Sequence, residues 1–147
     1  MKAQVQFFRK LLRSEYKPIL IDYLPVPSPR YGYGHPPHKA LHALFDSSRG
    51  GYRALLEEFG AFAEGLSKIP LEESSDRRAP FWNNSFLGGT NAVALYCLPA
   101  LRRSRTYIEV GSGNSTKFIR RAVTDNGLST RIESIDPAPR AEIDDLC

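Results

Sequence analysis

Apolar residues recurring at three- and four-residue steps dominate the first part of the chain. Val5, Phe8, Leu11 and Leu12 fall on one face of a short helix that should end before Pro18. A second periodic stretch opens after Pro37 with Leu41, Leu44 and Phe45, and a third follows Gly50-Gly51 through Leu55, Leu56, Phe59 and Phe62; together they predict a helical hairpin. Between the first and second stretches lie Pro25, Pro27, Pro29, Pro36 and Pro37 with Tyr31-Gly32-Tyr33-Gly34, a mixture of fixed and permissive backbone angles that predicts an extended, turn-rich connector. Glu72 to Arg78 is polar and bounded by Pro70 and Pro80, and reads as a surface linker.

The pattern changes at Phe81. Phe81-Trp82-Asn83-Asn84 leads to Gly88-Gly89, and Thr90 or Asn91 can cap a helix through Val93, Ala94, Leu95 and Leu98 that Pro99 should end or kink. Thr106 to Val110 is short, β-branched and aromatic, as a strand requires. Gly111 to Asn114 then makes a tight loop, and Ser115 or Thr116 caps a helix with Phe118, Ile119, Ala122 and Val123 on its apolar face. Asn126-Gly127 ends that helix, since both residues tolerate the left-handed terminal conformation. A second strand, Thr130 to Ile135, stops at Asp136-Pro137. Strand, glycine loop, helix and strand predict an α/β fold with a parallel pair of strands, expected to be buried on both faces.

Composition narrows the function classes. With 41% apolar and 24% charged residues over 147 positions, the chain is globular in character. The net charge of +4 comes from 20 basic and 16 acidic residues that are interspersed, and no basic run with interleaved aromatics indicates a nucleic-acid partner; Arg102-Arg103-Ser104-Arg105 reads as a connection before a strand. Cys97 and Cys147 offer neither a disulfide framework nor metal-ligand spacing, which fits a reducing, cytoplasmic setting. No apolar run approaches the ~20 residues of a membrane span, and Met1 to Arg13 lacks the core and cleavage site of a signal peptide. His38 and His42 lie one helical turn apart with His35 nearby, but Lys39 occupies the place of a metalloprotease glutamate and no third ligand follows. Surface or capping histidines, and no metal, are expected.

The candidate chemistry sits at the glycine loop. In an open parallel sheet, ligands bind beyond the carboxyl ends of the strands, where free backbone N–H groups of the following helix point at them. Gly111 and Gly113 permit a sharp turn there, and Asp136, 23 positions after Gly113, ends the second strand where a carboxylate can accept hydrogen bonds from both ribose hydroxyls of an adenosine. Glu109 separates the candidates. Its charge would repel a dinucleotide's pyrophosphate but suits S-adenosylmethionine, which carries an ammonium and a sulfonium and no phosphate. Thr116 stands where a dinucleotide fingerprint would have its third glycine; Lys117 and Phe118 also break a phosphate-cradling loop.

Tyr107-Ile108-Glu109-Val110-Gly111-Ser112-Gly113 resembles the first motif of class I S-adenosylmethionine-dependent methyltransferases, and Ser134-Ile135-Asp136-Pro137 resembles their second. Phe81-Trp82-Asn83-Asn84, Ala92-Val93-Ala94-Leu95-Tyr96, Gly111 to Phe118 and Pro139 to Asp144 are similar to a bacterial, uncharacterised subgroup of that class. The resemblance implies a helical N-terminal region over 1–70, a linker over 71–85, and over 86–147 the first part of a Rossmann-like domain, truncated after its first βαβ unit. It further implies a small-molecule methyl donor, S-adenosyl-L-methionine, bound by Glu109, Gly111, Ser112, Gly113, Asn114 and Ser115 on the methionine side and by Asp136 at the ribose. Ser115 departs from the pattern, many members having a third glycine there. Neither the methyl acceptor nor a catalytic base can be named. With the later strands missing, the chain is expected to be a fragment of low stability, inactive alone, with the apolar face of the helix after Ser115 partly exposed. The competing readings are a nicotinamide-dependent oxidoreductase half-domain and a non-enzymatic helical interaction module in residues 1–70.

Overall fold

The computed structural model describes residues 26–139 and 143–147, so the helix expected around Val5 to Leu12 and residues Arg140, Ala141 and Glu142 of the Pro139 to Asp144 stretch lie outside the described residues. The chain divides into two compact units, Met1–Asp46 and Ser47–Cys147.

In the first unit, the Tyr31-Gly32-Tyr33-Gly34 segment makes a tight turn. Gly32, Tyr33 and Gly34 all take positive φ (70, 49 and 90°), closed by a bridge between Gly32 and His35 with His35 N–H donating to the Gly32 carbonyl at 2.9 Å. Helix α1, Lys39–Ser47, begins in this unit. His38 Nδ1 accepts the Leu41 N–H at 3.3 Å, and its ring meets Tyr31 edge-on at 4.7 Å, so this histidine caps the helix. No residue of α1 is buried.

The second unit is mixed α/β. Helix α2 spans Arg49–Phe59, a 3-10 turn Gly60–Phe62 leads to α3, Ala63–Ser67, and α4 spans Gly89–Arg102. Strand β1, Thr106–Val110, α5, Asn114–Asp125, and β2, Arg131–Ile135, follow, with a final 3-10 turn Asp144–Leu146. The two strands pair in parallel, with Glu109 opposite Ser134 and Tyr107 opposite Ile132. Helix α4 runs three residues past Pro99, which is buried within it, and ends at Arg103 in the left-handed conformation (φ 45°). Packing against α5 evidently outweighs the backbone hydrogen bond that proline cannot donate. No helix among the described residues is long and apolar enough to cross a membrane.

The core forms where α5 lies against α4. Phe118, Ala122, Ala92, Tyr96 and Cys97 are joined there by Phe59 and Ile69 from the helical segment before them, and Trp82 packs on Phe118 with ring centroids 5.4 Å apart. A second cluster, Ile119, Val123 and Ile132, with Tyr107, Leu128 and Leu95 packed on it, glues α5 to the sheet. Each large side chain fully buried here contributes about 1.5–3 kcal/mol. Segment 49–69 therefore shares one core with the strand region instead of forming a separate layer.

Two expectations are corrected. The apolar face of α5 is not exposed: Phe118, Ile119, Ala122 and Val123 are all buried. The exposed apolar surface lies on the other side of the sheet, where Ile108, Val110 and Ile135 are 59, 85 and 61% exposed. Burial along β1 accordingly alternates, because among the described residues helices cover one face only.

Candidate functional site

Glu109 is the centre of the polar cluster at the carboxyl end of β1. Residues two apart on a strand share a face, so Tyr107 and Glu109 both turn towards α5 while Ile108 and Val110 turn away. Four hydroxyls converge on the carboxylate. Ser115 Oγ donates to Oε2 at 2.7 Å and Tyr107 OH to the same oxygen at 3.1 Å; Ser134 Oγ donates to Oε1 at 2.7 Å, and Thr116 Oγ1 also donates to Oε1. A carboxylate offers about four acceptor positions, so the hydroxyls match its capacity. No basic side chain pairs with it among the described residues. The Tyr107 phenol is pushed well above its ordinary pKa, first by burial and then by the charge of Glu109 and the hydrogen bond to it.

The loop beyond β1 depends on two glycines. Gly111 has φ 81° and Gly113 φ 147° with ψ −121°, the latter a region that side-chain-bearing residues scarcely enter. A Cβ at either would meet nothing within 4 Å, so conformation and not crowding demands glycine here. Helix α5 starts at Asn114, with Gly113 as its N-cap, rather than at Ser115 or Thr116. Thr116 instead reaches back: its Oγ1 accepts the Gly113 N–H at 3.1 Å while donating to Glu109, satisfying an otherwise orphan donor at the helix start.

Asp136 ties the loop to the end of β2. Its Oδ2 accepts both the Ser112 N–H (2.8 Å) and the Ser112 hydroxyl (2.9 Å), and its Oδ1 accepts the Ala138 N–H (2.9 Å). Gly111 N–H continues the ladder to the Ile135 carbonyl at 3.0 Å. Asn114 turns elsewhere: its Nδ2 donates to Asn84 Oδ1 at 3.2 Å, and that same oxygen accepts the Leu87 N–H at 2.8 Å, so Asn84 fastens the lead-in to α4 onto the start of α5.

Glu109, Ser115, Gly111, Gly113, Ser112 and Asp136 thus gather at the carboxyl ends of β1 and β2, with Asn114 at their edge. Sequence reasoning missed Tyr107, Thr116, Ser134 and Asn84. Period-two alternation around Glu109 could have found Tyr107, and spacing from the helix start could have found Thr116. Ser134 depends on parallel register, which no local pattern reveals. No protein-family model, no curated protein and no solved structure matches this chain.

Proposed function

We propose that β1, α5 and β2 are the first βαβ unit of a Rossmann-like sheet and that the cluster around Glu109 binds the methyl donor S-adenosyl-L-methionine, as in a class I methyltransferase. The observation that carries this reading is the company Glu109 keeps: a partly buried carboxylate, surrounded by neutral hydroxyls and paired with no cation among the described residues. The hydroxyls fill its acceptor positions but neutralise none of its charge, and a partly buried negative charge without a counter-charge favours a cationic ligand and disfavours phosphate. The ammonium and sulfonium of the donor supply that cation. Gly111 and Gly113, with open space where their Cβ atoms would stand, let backbone approach the donor, and Asp136 beside the loop would take its ribose hydroxyls as the rotatable Ser112 hydroxyl turns aside.

In such a protein the donor supplies a methyl group to an acceptor nucleophile. The residues around Glu109 would bind and orient that donor. A nicotinamide cofactor is the second reading, since Asp136 would serve its ribose equally well. Calorimetric titration of the chain with S-adenosylhomocysteine and with NAD separates the two. The expected result is saturable heat with S-adenosylhomocysteine, lost in Asp136→Ala, and none with NAD. Heat with NAD alone, or with neither ligand, refutes the methyl-donor reading.

A further inference from the structure

A second polar site lies on the flank of α5, apart from the glycine loop. A cleft of about 280 Å³ is lined by Arg78, Lys117, Arg120 and Arg121 against Asp76 and Asp125. The acidic residues are already engaged. Asp125 accepts Arg121 Nε and Tyr96 OH, both at 2.7 Å. Asp76 accepts the Arg78 N–H at 3.0 Å and Arg78 Nε at 3.3 Å. Arg120 spends Nε and one Nη on the Leu146 carbonyl, a neutral acceptor.

Lys117 is the exception. It is 5% exposed and lines the cleft; its stem is buried, its ammonium tip reaches the cleft, and among the described residues that ammonium makes no hydrogen bond or ion pair. Its charge is felt at Asp76, whose carboxyl is held below its ordinary pKa first by the Arg78 N–H and in smaller part by Lys117, but the two do not form a bridge. A lysine buried to this degree is nearly always paired. Among the described residues Arg121 also keeps Nη donors to which no acceptor is matched, since only its Nε is used. The four cations face Asp76 and Asp125 and also Asp145, which lies 3.5 Å from Arg78, so one cation stays in excess; with the spare N–H donors of Arg121 it matches an oxyanion with several terminal oxygens.

We propose that this cleft is an anion site for a phosphoryl group, with the Lys117 ammonium, which opens onto the cleft, as its point charge and Arg121 as the neighbouring fork. The volume leaves room beside the phosphoryl group for a small organic substituent. The site is separate from the methyl-donor reading, and either can fail without the other.

The test is a titration of the whole chain with inorganic phosphate and with phenyl phosphate, followed by amide NMR shifts, chloride holding the ionic strength constant. Saturable shifts centred on residues 117, 120 and 121 are expected, with affinity lowered about tenfold or more in Lys117→Met and kept within a few-fold in Lys117→Arg. Tighter binding of phenyl phosphate would identify a phosphate ester as the occupant, and tighter binding of inorganic phosphate the free ion. Should Lys117→Met fail to fold, the wild-type map decides. Shifts that do not saturate, shifts that avoid Lys117, or undiminished binding by folded Lys117→Met would each overturn the proposal.

Discussion

Replacing Glu109 with glutamine probes the polar centre with almost no change in volume, so no cavity contributes to the result. Glutamine keeps one carbonyl oxygen and puts an NH2 group in place of the other, leaving two of the four hydroxyl donors facing a donor. Thr116 is fully buried and cannot turn to water, so the remaining oxygen should stay with Thr116 and Ser134. Tyr107 and Ser115, partly exposed, must find solvent instead. Hydrogen bonds to a charged acceptor contribute about 1.5–3 kcal/mol and neutral ones about 0.5–1.5. Losing charge assistance on two bonds and re-solvating two more hydroxyls, less the relief of no longer burying a charge, leaves about 2 kcal/mol of destabilisation. For a unit of this size that corresponds to a Tm lowered by about 8–16 °C. Thermal unfolding followed by circular dichroism reads it directly. A Glu109→Gln variant melting within about 2 °C of the wild type would refute the idea that these hydroxyl bonds hold the strand end to the helix start.

Two other outcomes follow from local geometry. Gly113→Ala should cost about 1–3 kcal/mol in urea denaturation, because φ 147° is strained for alanine, whereas Gly51→Ala, in the first turn of α2 with open space at its Cβ, should cost nothing; equal effects would show that the loop relaxes freely. The Tyr96 phenol, pushed up to about 12 by burial and then by Asp125, should stay protonated where an unfolded tyrosine ionises near 10. Its contribution to stability is therefore complete below pH 10 and lost as pH rises from there towards 12, and Tyr96→Phe should weaken that loss; an identical alkaline stability profile in Tyr96→Phe would contradict it.

Much of this protein's local structure is legible in its residues. Thr106 to Val110 forms the strand that its β-branched and aromatic pattern predicts, β2 matches to within one residue, and Asn126-Gly127 ends α5 with Gly127 at φ 55°. These are short-range effects, in which each side chain acts on its own backbone or on the next turn. The glycine loop and Asp136 also come together as expected, because a parallel crossover brings the carboxyl ends of both strands to one edge.

Tertiary packing decided the rest. Only the register of β1 on β2 sets Ser134 against Glu109, and only the placement of α5 buries Lys117 beside a cleft while leaving Ile108 and Val110 in the open. Thr116, a capping candidate from its position, became instead the link between the loop and Glu109. Such outcomes depend on contacts between residues far apart in the chain, whose free energy belongs to the packed pair and leaves no trace in the periodicity of either partner.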